Sequence, residues 1–351
     1  SSPAGRGTPN WRVLHGRGEV LWFSQRDGWG HLYVHDLRTG EQKRRLTEGE
    51  WNVLEVVRVD EDSGWLYFTA VGREAGRDPY FRHLYRMPLD GGAIELLTPE
   101  DADHQVSLSP TGEWFVDRYS RFDAAPVTVL RRADGATFRP FDDAEPARAG
   151  ADGRARGMAA GSHRLGPDGG VLEVADISGL LELGWPWPIP FTAKARDGET
   201  DIYGVMFRPS NFDPSRKYPI INNIYPGPQA GSIGDRSFSA ARRNAQALAE
   251  LGFVVVLIDA LGTPMRSKEF HAAYYGDMSD NGLEDQIAAM RQLAERHDWI
   301  DIDRAGIYGH SGGGFASAAA ILRYPDFFKV AVATAGNHDN RGYTYYWGEK
   351  W

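Results

Sequence analysis

The sequence contains no cysteine, which excludes disulfides, thiol nucleophiles and cysteine-ligated zinc. The compartment stays open, because oxidising and reducing compartments both hold cysteine-free proteins. No run of 18 apolar residues occurs, so no segment reads as a membrane-spanning helix. Positive charge is also short: 39 Lys and Arg face 48 Asp and Glu, a formal net charge of −9. No basic stripe tracks a phosphate backbone, so nucleic acid is not an expected partner. A signal peptide is missing as well, and the chain opens Ser1-Ser2-Pro3-Ala4-Gly5 without methionine, consistent with a leader removed or never included. What is present is ordinary globular material, 42% hydrophobic and 25% charged, with a length that suits about two domains.

From residue 11 to about 141 short apolar and aromatic runs (Leu21-Trp22-Phe23-Ser24, Leu66-Tyr67-Phe68-Thr69, Trp114-Phe115-Val116-Asp117) alternate with polar turns, an all-β pattern. A repeat is visible within it. His31-Leu32-Tyr33 returns as His83-Leu84-Tyr85 after 52 residues, and Leu46-Thr47 returns as Leu97-Thr98 after 51. That period fits propeller blades, each a four-stranded meander with the Leu-Tyr pair on an inner strand. Thr39-Gly40 and Asp90-Gly91 would close hairpins, and Leu-Thr would end the next strand. About three blades are expected, fewer than the four to eight of a closed propeller. Residues 142–170, rich in Ala, Gly, Arg and Asp, carry too little apolar surface to offset ordering entropy and are expected to form a mobile loop. Trp185-Pro186-Trp187-Pro188-Ile189-Pro190 reads as a stiff connector docked by its tryptophans. The expected division is a partial β-propeller over 11–184 and an α/β domain over 185–351.

In the second part Tyr218–Tyr225, Phe253–Asp259 and Phe328–Thr334 are near-continuous apolar runs, as strands buried on both faces should be. Leu283, Ile287, Met290 and Ala294 recur at offsets of four, seven and eleven, one helical face, with Asn281 at the N-cap position. A doubly wound parallel sheet is expected, with its ligand crevice at the carboxyl ends of the strands. At one such end stands Gly309-His310-Ser311-Gly312-Gly313, with Ala305–Tyr308 before it and the small-residue stretch Phe315–Ala320 after it. Strand, tight turn and helix in that order read as a nucleophile elbow with Ser311 as nucleophile. A serine that merely caps the helix is the alternative.

A serine hydroxyl needs a base and an oxyanion hole. The Gly312 amide is one candidate donor. The hydroxyl of Tyr225, held at the crevice by the Pro226-Gly227-Pro228 turn, is the other, unless it is simply a buried tyrosine satisfying its own hydroxyl. In this arrangement acid and histidine follow the serine, yet only 40 residues remain and His338 is their sole histidine. Asp326 lies beyond the helix after the elbow, roughly 15 Å away at ~1.5 Å per residue, too far to orient a base. His338, with Asp339 beside it, is a weak candidate. Asn337, His338, Tyr343 and Trp347 read more readily as a pocket wall. A metal site at His338-Asp339 lacks a third ligand, so no metal and no cofactor is expected.

The repeats, the elbow and the Tyr225-Pro226-Gly227-Pro228 turn together resemble the prolyl oligopeptidase family of serine peptidases, in its bacterial dipeptidyl peptidase IV-like branch. Asp27-Gly28-Trp29-Gly30-His31-Leu32-Tyr33, Tyr119-Ser120-Arg121, Leu283-Glu284-Asp285-Gln286 and Gly336-Asn337-His338-Asp339-Asn340 carry the resemblance further. It implies a propeller followed by an α/β-hydrolase domain and cleavage of short peptides after proline or alanine near the amino terminus. It assigns Ser311 as nucleophile, Tyr225 and the Gly312 amide as oxyanion hole, and Tyr343, Trp347 and Asn337 as substrate-binding wall. His310 and Leu261 depart from the family pattern, where an aromatic residue and an arginine are common. The family's triad aspartate and histidine would lie past residue 351, and its amino-terminus-binding acids ahead of residue 1. The implication is a central part of a longer enzyme, inactive by itself. A homodimer and a periplasmic or secreted location are further expectations. An acylaminoacyl peptidase or esterase, or a non-catalytic propeller-hydrolase scaffold, are the competing readings.

Overall fold

The structure is a computed structural model that describes residues 10–135, 148–149, 155–156, 164–166 and 169–351. It divides into two units. One comprises Ser1–Ile177 with two later excursions, Asp235–Phe238 and Met265–Glu269, and the other comprises Ser178–Gly234, Ser239–Pro264 and Phe270–Trp351.

The first unit is built from antiparallel sheets. β1 (Trp11–Leu14), β2 (Glu19–Ser24), β3 (His31–Asp36) and β4 (Gln42–Arg45) pair in sequence order, as do β5 (Asn52–Asp60), β6 (Trp65–Val71), β7 (His83–Pro88) and β8 (Glu95–Leu96). The third sheet joins β9 (Asp103–Leu108), β10 (Trp114–Arg121) and β11 (Ala124–Arg132) to β12 (Arg148–Ala149), β13 (Ala155–Arg156), β14 (Arg164–Gly166) and β15 (Gly169–Val174). Much of the expected mobile loop at 142–170 lies outside the described residues. Its described parts are strands, with β12 and β15 both pairing with β11.

The 51- to 52-residue repeat has a physical cause. Leu32 N–H donates to Thr47 Oγ1 at 3.0 Å and Leu84 N–H to Thr98 Oγ1 at 2.9 Å, while Leu46 and Leu97 return backbone bonds to Leu32 and Leu84 at 2.9 Å. Leu-Thr therefore sits just past β4 and β8 instead of ending them. The threonine hydroxyl replaces a strand partner for the buried N–H of the Leu-Tyr pair. The histidine before that pair bonds to the same place: His31 Nδ1 is 3.0 Å from Thr47 Oγ1, and His83 Nδ1–H donates to Thr98 O at 2.8 Å. Burial and the neighbouring His104 push the His83 imidazole down to about 3, so it is neutral. Substituting Thr98→Val keeps the shape and strands the Leu84 N–H. Thermal unfolding is expected to report a loss of about 1–3 kcal/mol, largely restored by Thr98→Ser; an unchanged melting temperature in the valine variant would show the hydroxyl to be dispensable.

The second unit carries a six-stranded sheet in the order β16-β17-β19-β18-β20-β21. Its strands are β16 (Ile189–Lys194), β17 (Asp201–Phe207), β18 (Tyr218–Asn223), β19 (Val254–Asp259), β20 (Ile300–His310) and β21 (Phe328–Thr334). The helices are α1 (Ser178–Glu182), α2 (Ala245–Ala249), α3 (Lys268–His271), α4 (Leu283–Arg296), α5 (Gly312–Arg323) and α6 (Tyr345–Lys350). The sheet is mixed, which corrects the all-parallel expectation. β17 pairs antiparallel with both β16 and β19, while β18, β19, β20 and β21 are parallel to one another, and the short link between β16 and β17 permits nothing but a hairpin there. The tryptophan-proline connector also ends sooner than expected. Trp187 is buried, Trp185 Nε1–H donates to Ala240 O at 2.8 Å, and Ile189-Pro190 already belongs to β16, an edge strand where proline is tolerated.

Asn281 is not the N-cap of α4. That place falls to Gly282, at φ 60, whose N–H is held by Asp280 Oδ1 at 3.1 Å. The following Leu283-Glu284-Asp285-Gln286 ties the helix to the sheet. Fully buried Asp285 takes Arg196 Nε at 2.9 Å, and Gln286 accepts from Asn222 Nδ2 at 2.7 Å and donates to Ile258 O at 3.2 Å.

Candidate active site

β20 enters a turn at Ser311 that no ordinary L-residue adopts readily, φ 57 and ψ −118, and α5 leaves it. The surrounding glycines explain how the chain fits. A Cβ on Gly309 would lie 2.5 Å from the Gly313 carbonyl carbon, one on Gly313 would lie 2.1 Å from Ile224 O, and one on Gly314 2.3 Å from Thr334 O. The serine makes no side-chain capping bond to α5, so the capping alternative fails. Thr334, at the end of β21, holds the turn from the other side. Its carbonyl accepts from Ser311 N–H at 2.9 Å, and its hydroxyl donates to Gly309 O and meets His310 Nδ1, both at 3.1 Å.

Tyr225 follows β18 after one residue, Ile224. Its backbone N–H donates to Ser232 Oγ at 2.9 Å, and Asp259, at the end of β19, accepts from Ile233 N–H at 3.1 Å, so the loop after the tyrosine is tied down twice. A Cβ on Gly227 would strike Gly262 O at 1.8 Å, which explains why the turn carries glycine. The ring is brought against the elbow, with its Cζ 3.7 Å from where a Gly312 Cβ would stand.

Ser311, Gly312, Asn337, Tyr343 and Trp347 line one cleft. Tyr343 and Trp347 meet edge to face at 5.2 Å. Pro226, Gly227, Gln229, Met278, Asn281, Phe315, Ala335 and Asn340 complete the lining, none of which the sequence singled out as a site residue. They come from α5 and from separate loops, and only the fold brings them together. His338 is not among the lining residues, a correction to the pocket wall expected from sequence. Its ring stacks on Phe315 at 6.1 Å, and Asp339 is engaged by Arg341 at 2.7 Å. Among the described residues no imidazole or carboxylate hydrogen-bonds Ser311.

Among the described residues the group with metal-ligand chemistry is Glu100, His104 and Asp117, within the first unit. A cation already serves both carboxylates there, with Arg131 Nη2 2.7 Å from Glu100 and Nε 3.2 Å from Asp117. Burial disfavours a charged His104, but the Asp117 carboxylate at 2.9 Å outweighs it and the imidazole titrates above its ordinary value. This is an ion-paired network that fastens β9 to β10 and β11. Arg236, fully buried in the same unit, donates its backbone N–H to Asp103 at 3.0 Å and sets its guanidinium over Tyr80 at 4.2 Å.

A strained serine between a parallel strand and a helix, opening on an aromatic-walled cleft, defines an α/β-hydrolase fold with a nucleophile elbow. Residues 238–351 match the model of the prolyl oligopeptidase family, and residues 9–126 match that of the dipeptidyl peptidase IV N-terminal region. The chain belongs to the prolyl oligopeptidase family. It is 30% identical over 300 residues to human dipeptidyl peptidase 8, covering 83% of this chain and 30% of that protein. Dipeptidyl peptidase 4 of Trichophyton tonsurans is 25% identical over 342 residues, 96% of this chain and 40% of that one. The crystal structure of Porphyromonas gingivalis dipeptidyl peptidase 4 shares the fold with a TM-score of 0.74 at 24% identity, over 97% of this chain and 43% of that one. The chain thus spans less than half the length of each of these relatives. Among the described residues no helix is long and apolar enough to cross a membrane.

Proposed function

We propose that this sequence supplies the nucleophile, oxyanion hole and proline pocket of a serine dipeptidyl peptidase. The observation that carries the reading is Ser311 in its strained turn, with Tyr225 against Gly312 on one side and the Tyr343–Trp347 pair on the other. Ser311 Oγ attacks the scissile carbonyl carbon, and negative charge develops on the carbonyl oxygen. The Gly312 N–H and the Tyr225 hydroxyl stabilise that charge. Collapse breaks the C–N bond, the amine leaves with a proton, and water then hydrolyses the acyl ester. A proline ring suits the pocket because aromatic walls stack on a compact apolar ring and orient its carbonyl toward the serine. Among the described residues no group hydrogen-bonds Ser311 as general base, and this reading takes that role to be filled from outside them.

The test is chromophore release from Xaa-Pro, Xaa-Ala, N-acetylated and simple ester reporters by the polypeptide that carries this sequence. Free-amine Xaa-Pro is expected to be preferred. Faster hydrolysis of the N-acetylated or ester reporter would replace the dipeptidyl reading with an acylaminoacyl peptidase or esterase. No turnover of any of them would leave a non-catalytic scaffold.

A further inference from the structure

Gln229 stands in the cleft with each end of its amide engaged. Its Oε1 lies 3.3 Å from Trp347 Nε1, and its Nε2 lies 2.9 Å from the Tyr225 hydroxyl oxygen. These two bonds determine each other. An indole N–H can only donate, so the amide oxygen must face Trp347. The NH₂ end then faces Tyr225, and an NH₂ can only donate, so the phenol oxygen accepts. A phenol has one proton. With its oxygen serving as acceptor toward Gln229, that proton is left to point elsewhere, and Gly312, which lines the cleft together with Ser311, lies against the ring.

We propose that Gln229 is a positioning residue that aims the Tyr225 hydroxyl proton at the developing oxyanion, and that the indole N–H of Trp347 sets the amide in the orientation this requires. The relay joins a wall of the proline pocket to the oxyanion hole. It rests on the roles of Ser311 and Tyr225 proposed above. A bond donated to the phenol oxygen also polarises its O–H, making it a stronger donor. Gln229 is itself exposed and packs no core, so its replacement leaves the fold in place.

The experiment is a double-mutant cycle on Xaa-Pro turnover in the polypeptide that carries this sequence, with thermal unfolding as the check on folding. Tyr225→Phe is expected to lower kcat roughly 10²- to 10³-fold, the usual effect of losing one oxyanion donor. Gln229→Leu should lower kcat about tenfold, equivalent to about 1.4 kcal/mol of transition-state stabilisation, with KM little changed. Gln229→Glu should lower it nearly as far as Tyr225→Phe, because a carboxylate accepts from Tyr225 and captures the proton. In the Tyr225→Phe background neither Gln229 variant should lower kcat further. Effects that multiply with Tyr225→Phe, a wild-type kcat in Gln229→Glu, or a change confined to KM would each overturn the relay while leaving the peptidase reading intact. Absence of Ser311-dependent turnover in the wild type would overturn both.

Discussion

Ser311→Ala is expected to lower kcat on an Xaa-Pro reporter by roughly 10⁴- to 10⁶-fold, the range seen when the nucleophile of a serine hydrolase is removed. Its melting temperature should stay close to that of the wild type, since alanine meets the same backbone strain. Ser311→Gly separates strain from chemistry. A non-glycine residue at φ 57 and ψ −118 costs about 1–3 kcal/mol, which glycine relieves. Glycine also gives the unfolded chain about 0.5–1 kcal/mol more entropy to lose. The expected net result is an inactive protein that unfolds at an equal or higher temperature. Retained turnover in either variant would remove Ser311 from the mechanism, and a clear drop in melting temperature in Ser311→Gly would show that the turn is not strained.

Gly313→Ala is expected to cost about 3–5 kcal/mol, at the upper end for a single substitution. The added methyl would stand 2.1 Å from Ile224 O and 3.6 Å from Tyr225 Cα, both backbone atoms without a flexible arm to yield. Relief requires α5 to move away from the end of β18, which also separates the nucleophile from Tyr225. Denaturant unfolding and reporter turnover should therefore both fall. Gly348→Ala is the control. It lies within α6 with nothing within 4 Å of its added Cβ, and should be neutral or stabilising by up to about 1 kcal/mol. Similar effects at the two positions would mean that close approach is not why Gly313 is glycine.

The parts of the site that are contiguous in the chain were legible beforehand. Ser311 was, because strand, glycines and helix lie within about twenty residues, and the Leu-Tyr and Leu-Thr repeats were, because both copies use one threonine hydroxyl to satisfy a buried amide. The parts assembled from distant loops were not. Gln229 and Met278 carry no local pattern, and their place beside Ser311 follows from the order in which β18, β19 and β20 lie in the sheet. Asn281 was misread as a cap because an asparagine ahead of an apolar periodicity is a cap signal, whereas the left-handed turn at Gly282 lets the asparagine line the cleft. β16 and β17 escaped because their hairpin is short and the tryptophan-proline run masked the first of them. His338 was set in the pocket wall by its neighbours Asn337 and Tyr343, and a single stacking contact with Phe315 takes it out.

Thr334 lies outside the elbow pentapeptide yet contacts three of its residues, His310 and Gly309 through its hydroxyl and Ser311 through its carbonyl. The pentapeptide alone would relax, since no local bond opposes the strain at its centre. Nucleophile geometry is therefore a property of strand pairing. It arises when β21 seats against β20 in the register that sets His310 opposite Thr334, and a chain in which that pairing has opened holds an unconstrained serine with no catalytic posture. Opening of that strand pairing and loss of activity should accordingly be a single event, detectable as amide exchange at Ser311 in step with inactivation.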